Sequence, residues 1–224
     1  MTTQTIEFFK TKKQALEVIG GNLNSNKKMP CKTWNLSAWQ CKTGSLLSDI
    51  EGTICSECYA MNNHYLRFRD EHLESFNKRL KNSLRNDWVN AMIKVIGDDP
   101  YFRWFASGDL QNLNMLEKIV KIAEALPNTK FWLPTHEPKI IKSWLDKHKQ
   151  AFPKNLIIRI SAVYIDKQSS LPKSLQGYDN ILTSTVHSQN AIGQECISHK
   201  QEGQCLDCRE CWNTEVKNIS YKIH

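Results

Sequence analysis

A chain of 224 residues, 40% apolar and 24% charged, is long enough to bury one substantial core and has the make-up of an ordinary globular protein. Seven Trp and eight Phe argue against disorder, and no apolar run reaches the eighteen residues of a membrane span, so no membrane partner is expected. The net charge of +7 is spread over short clusters such as Lys10-Thr11-Lys12-Lys13; it permits contact with nucleic acid or an anionic cofactor but forms no long basic arm.

Residues 1–28 are polar and lysine-rich, with loop signals at Gly20-Gly21-Asn22 and Asn24-Ser25-Asn26, and are expected to be loosely structured. Met29-Pro30 opens a tryptophan-containing segment leading to Cys41. A loop bracketed by Gly44 and Gly52 then ends in Cys55-Ser56-Glu57-Cys58. From Asp70 to about Gly97, the residues Leu73, Phe76, Leu80, Leu84, Trp88 and Met92 recur at three- and four-residue steps and predict one long amphipathic helix. Residues 101–106 predict a buried strand, and Leu113, Leu116, Ile119, Val120 and Ala123 a helix that Pro127-Asn128 stops. Strands follow at 130–135, 156–161 and 181–186, with a helix over 138–148 between the first two and a terminal strand near 216–224. Strands alternating with helices imply a parallel sheet. Four or five strands are too few for a complete eight-stranded barrel. The expected fold is a single α/β domain, either a partial (β/α) barrel or an open parallel sheet, with Cys-rich N- and C-terminal loops.

The first thirty residues lack an apolar run of signal-peptide length, which predicts a cytoplasmic chain whose eight cysteines are metal ligands rather than disulfides. Cys196, Cys205, Cys208 and Cys211 fall within sixteen residues. Two consecutive Cys-x2-Cys steps suit the corners of an iron–sulfur cube better than a zinc tetrahedron. Cys41, Cys55 and Cys58 form a second set, which either metal suits; Cys31 or His64 would complete a zinc knuckle there.

In parallel α/β architecture, functional residues gather at the carboxyl ends of strands. Four predicted strands end in polar groups: Ser107-Gly108-Asp109, Thr135-His136-Glu137, Arg159 with Ser161, and Ser184-Thr185 with His187. Gly108 would let backbone approach a ligand beside Asp109. His136 and His187 read as acid–base groups, ligands or hydrogen-bonded neutral rings.

Cys41-Lys42-Thr43-Gly44, Cys55 to Ala60 with Tyr65, Phe102 to Leu110, Phe131 to Thr135, Ser184 to His187 and Cys205 to Tyr221 together resemble the phage and plasmid "gene product 88" family, over about residues 29–224. The layout also resembles a shortened radical S-adenosylmethionine enzyme. That likeness implies a 4Fe–4S cluster on Cys41, Cys55 and Cys58 with one iron open to S-adenosylmethionine, and Gly108-Asp109 holding the methionine amine. It implies a second, fully ligated 4Fe–4S cluster on Cys196, Cys205, Cys208 and Cys211. Asp109, His136, Arg159 and His187 would be catalytic and line the cleft between the clusters. Ser107, Gly108, Asp109, Thr135, Ser161 and Ser184 would bind the cofactor, and a reductant would be a partner. Thirteen residues separate Cys41 from Cys55, more than the short spacing usual in those enzymes. The opposing expectation is a protein with two zinc sites that contacts nucleic acid; a third limits the clusters to electron transfer or sensing.

Overall fold

The computed structural model describes residues 9–25, 28–61 and 69–223. Eight strands form one open sheet: β1 (Asn24–Ser25), β2 (Lys32–Trp34), β3 (Tyr101–Trp104), β4 (Lys130–Thr135), β5 (Leu156–Ser161), β6 (Ile181–His187), β7 (Gln194–Glu195) and β8 (Asn218–Lys222). Their order is β1-β2-β3-β4-β5-β6-β8-β7, parallel throughout except for the β1–β2 pair. The six α-helices described are α1 (Lys12–Val18), α2 (Lys42–Leu47), α3 (Arg69–Ser83), α4 (Trp88–Ile96), α5 (Leu113–Ala125) and α6 (Pro138–His148). None is long and apolar enough to cross a membrane.

Strands β2 to β6 lie side by side in chain order. With right-handed crossovers, that order puts the connecting helices on one face of the sheet. Alternation along the strands matches: Phe102, Trp104, Phe131, Leu133, Leu156, Ile158 and Ile160 join the buried core with Leu116, Ile119 and Val120 of α5 and Ile141, Trp144 and Leu145 of α6. Trp34, Trp88 and Trp104 meet there edge to face or tilted, with ring centroids 5.3–6.2 Å apart, contacts worth about 0.5–1.5 kcal/mol each beyond their burial.

The alternate residues Arg103, Trp132, Ile157, Arg159 and Leu182 face away from those helices. The crossover from β6 to β8 covers this second face: Trp212 packs edge-on against Tyr101 and Trp132, and Tyr221 of β8 stacks on Trp132. The cysteine-rich C-terminal loop thus takes the place of a helical layer.

Three expectations are corrected. Residues 12–18 form a helix, not loose chain: Thr11 and Gln14 make a capping box, and Ala15 and Val18 enter the core. The long helix is two helices, because residues 84–87 turn out; Leu84 is 64% exposed, and Arg85 and Asp87 pair at 2.6 Å where α4 begins. Strand β2, three residues long, was read only as a tryptophan-containing segment.

Candidate metal centre

Cys41 lies beyond the carboxyl end of β2 and occupies the N-cap of α2, with no side-chain cap bond of its own. Two other strand ends fix this turn. Glu137, just past β4, accepts the Thr43 N–H on its Oε1 at 3.0 Å, and the Gln111 amide donates to the Gln40 carbonyl at 3.2 Å. Cys55 and Cys58 sit on a turn closed by Cys58 N–H to Cys55 O at 3.3 Å. Buried Thr53 braces that turn, and the strand-like bridge from Thr53 to Tyr164 ties it to the chain beyond β5. The Tyr59 hydroxyl donates to the Ala106 carbonyl at the end of β3.

The three thiols lie within electrostatic reach of one another. Cys41 feels the charges of Asp109, Cys58, Cys55 and Glu137, and Cys55 those of Cys58 and Asp109. Gly44 approaches Cys41 closely: a Cβ there would lie 2.8 Å from Cys41 Cβ, 3.6 Å from Cys55 Sγ and 3.7 Å from Cys41 Sγ. Asp109, 5% exposed, accepts from Leu110 N–H and Thr135 Oγ1 on Oδ1, both at 2.6 Å, and from His136 N–H on Oδ2 at 2.8 Å. Burial outweighs these bonds and lifts its carboxyl to about 6, while burial lowers His136 to about 4 and keeps its ring neutral near pH 7.

The second centre lies on the helix-free face. Cys196, Cys205, Cys208 and Cys211 line one pocket with Met29, Trp132 and Trp212. Cys196 N–H donates to Ser220 O at 2.8 Å, Cys205 N–H to Lys28 O at 2.7 Å and Cys208 N–H to Cys205 O at 2.9 Å, so β8, the N-terminal segment and the loop itself each fix one cysteine. Cys211 Sγ lies 3.4 Å from the Tyr221 hydroxyl. Arg159 holds the loop from beneath. Its guanidinium, fully buried, donates to the carbonyls of Cys211, Glu210, Asn213, Val216 and Thr183 at 2.9–3.2 Å, which uses all five of its N–H groups.

Cys31 lies nearer the second set of cysteines than the first. It immediately precedes β2, the Arg103 backbone N–H donates toward its thiol, and Arg103, Cys205 and Arg209 are its charged neighbours. The first set therefore has three cysteines among the described residues; His64 and Tyr65 lie outside them.

No disulfide joins any of the eight cysteines. Burial raises Cys31, Cys55 and Cys211 to about 12, and raises Cys41, Cys58 and Cys205 as well. A reactive dithiol would have a lowered pKa, so this environment does not suit one. Among the described residues no three Cys, His, Asp or Glu side chains are gathered tightly enough to chelate one ion. Thiolates on separate irons of a cube stand farther apart than those around a zinc, whose bonds to sulfur are about 2.3 Å. The donors that both sets offer are all sulfur, a chemistry that iron–sulfur clusters and structural zinc share.

The other expected site residues divide. Asp109, Thr135 and His136 gather beside Cys41 and Cys55. Ser107 and Gly108 serve the fold: Ser107 Oγ donates to Leu36 O at 2.9 Å, and a Cβ on Gly108 (φ +79°) would strike the Leu36 backbone at 2.7 Å. The close approach at Gly108 is made by Leu36, not by a ligand. Ser161 and Ser184 face each other, with Oγ atoms 3.4 Å apart, on the helix-free face. Arg159 is a positioning residue, with no donor left for a substrate. His187, 1% exposed, has Nδ1 2.7 Å from Ser220 Oγ and Nε2 4.0 Å from Glu195 Oε1, near the Cys196 end of the second centre. Among the described residues no hydrogen bond links Arg159 or His187 to Asp109 or His136, so the four do not form one hydrogen-bonded constellation. The roles of Glu137 and Cys31 escaped sequence reasoning. Glu137 stood in a polar strand-end triplet, a usable signal, whereas Cys31 had only its nearness in sequence to Cys41, which misleads.

Comparison with known proteins finds the family model described as gene product 88, which matches residues 7–214. No curated protein and no solved structure matches this chain.

Proposed function

The chain belongs to the gene product 88 family, and we propose that it is an iron–sulfur protein with two 4Fe–4S clusters, one on Cys41, Cys55 and Cys58 and one on Cys196, Cys205, Cys208 and Cys211. The carrying observation is the sorting of the cysteines: Cys31 falls beside Cys205, which leaves the first centre three thiols. A cube held by three thiolates has one iron open to an external ligand, to which it can supply an electron. We take that ligand to be S-adenosylmethionine, which makes the protein a radical enzyme toward a substrate of undetermined class.

The chain's own residues set up this site. Glu137 and Thr53 hold the two cysteine turns in place, Gly44 lets the helix backbone approach Cys41, and Asp109 presents a carboxyl whose Oδ2 has a second lone pair to spare. Neutral His136 adds no charge to a site where the ligands are anionic.

The test is electron paramagnetic resonance of the anaerobically reduced protein. Added S-adenosylmethionine should shift the signal that Cys58→Ala removes, and 5′-deoxyadenosine should accumulate. An unshifted signal without that product would reduce the protein to electron transfer or sensing. A colourless protein carrying zinc would replace the iron–sulfur reading with that of a zinc protein.

A further inference from the structure

At the amino ends of β3, β4 and β5, opposite the strand ends that carry Cys41 and Asp109, an open groove of about 600 Å³ is lined by Tyr101, Lys130, Lys154, Arg209, Glu210 and Trp212 among others. Lys130 and Lys154 are exposed, and among the described residues neither ammonium is in an ion pair. Arg209 lies over the Tyr101 ring, 5.3 Å from its centroid. Glu210 brings one negative charge against these three positive ones, and its carboxylate accepts from the Asn213 amide at 3.0 Å. Glu210 and Trp212 also line the pocket of the four C-terminal cysteines, so groove and pocket share a wall one side chain thick.

We infer that this groove is the docking surface for a small acidic electron-carrier protein; the inference rests on the iron–sulfur reading of the adjoining centre. Three cations around a redox site steer and orient a partner whose own centre is ringed by carboxylates. The step is a single electron passing from carrier to protein, with no bond made or broken. Nucleic acid fits less well. Single strands bind by stacking bases on open aromatic faces, but Arg209 covers a face of Tyr101, and Trp212 is packed edge-on against Tyr101 and Trp132 at 5.2 and 5.6 Å. The position also separates tasks, with electrons entering at the amino ends of the strands and chemistry at the carboxyl ends.

The experiment uses the iron-loaded protein under argon, titrated calorimetrically with an acidic two-iron ferredoxin, in wild type and in Lys130→Glu/Lys154→Glu. Wild type should bind the ferredoxin, more weakly as salt rises, and the double variant should lose roughly ten-fold or more in affinity. Equal affinity in both proteins would overturn the inference. So would absence of binding, or a single-stranded oligonucleotide that binds wild type and is lost in the double variant while the ferredoxin is not. Iron content measured on the same preparations separates the two readings: iron-free wild type defeats the cluster, whereas equal iron with indifferent ferredoxin defeats the docking surface.

Discussion

The Glu137 carboxylate and the Thr43 N–H, 94 residues apart in sequence, meet at 3.0 Å. Through that bond the end of β4 caps the short helix whose N-cap is Cys41, so a strand end sets the position of a thiol. The second centre repeats the logic with Arg159 on β5, four of whose five N–H groups hold the loop that carries Cys211.

Gly44→Ala tests the close approach of Gly44 to Cys41. Within α2 an alanine is intrinsically favoured over glycine by about 1 kcal/mol. Its Cβ, however, would sit 2.8 Å from Cys41 Cβ, so Cys41 must shift to admit it. The metal-free variant should be no more stable than wild type in urea, and iron should fall to about half. Undiminished iron would show that the position of Cys41 does not limit loading.

Arg159→Lys offers at most three donors where five carbonyls are now hydrogen-bonded. The expected cost is on the order of 3 kcal/mol in chemical denaturation. The C-terminal cluster signal should be lost before the signal of Cys41, Cys55 and Cys58. Simultaneous loss of both would mean that the two centres do not fail separately.

The pH dependence of the metal-free protein has opposing parts. Asp109 is raised from 3.8 to about 6, so its contribution to stability is full below about 4 and is lost as pH rises through about 6. His136 is lowered from 6.5 to about 4, so its contribution is present above 6.5 and is lost as pH falls through about 4. Between pH 4 and 6.5 the two offset each other. Asp109→Asn should unmask the histidine: urea midpoints of the variant should fall as pH is lowered across that window while those of wild type change little. A flat profile for the variant would contradict the assignment.

Cys31→Ser tests the sorting of thiols. With Cys31 beside Cys205, the substitution should leave the signal of the three-cysteine centre unchanged, and Cys208→Ser should remove the other signal. If Cys31→Ser abolished the first signal, Cys31 would be its fourth ligand.

Much of the layout was legible in the sequence. The helix over 138–148 and the strand over 156–161 were readable to the residue, because Pro138 opens one and apolar runs bound the other. What escaped depends on contacts between distant segments. Three residues are too few for β2 to show a period, and Leu84 matched the helical stripe although the chain turns out before Trp88. The capping box Thr11-Lys12-Lys13-Gln14 was present in the sequence, overshadowed by the surrounding lysines. At the sites, clustered cysteines announced themselves by spacing. Arg159 read as a strand-end charge, but it sits mid-strand on the helix-free face, and only the folded loop shows where its donors go.

Iron analysis of anaerobically purified wild type and Cys58→Ala bears most directly on the central claim. Two cubes predict about eight irons per chain in wild type and about four in the variant, with the C-terminal signal intact. Zinc in place of iron, or iron that does not fall when Cys58 is removed, would contradict it.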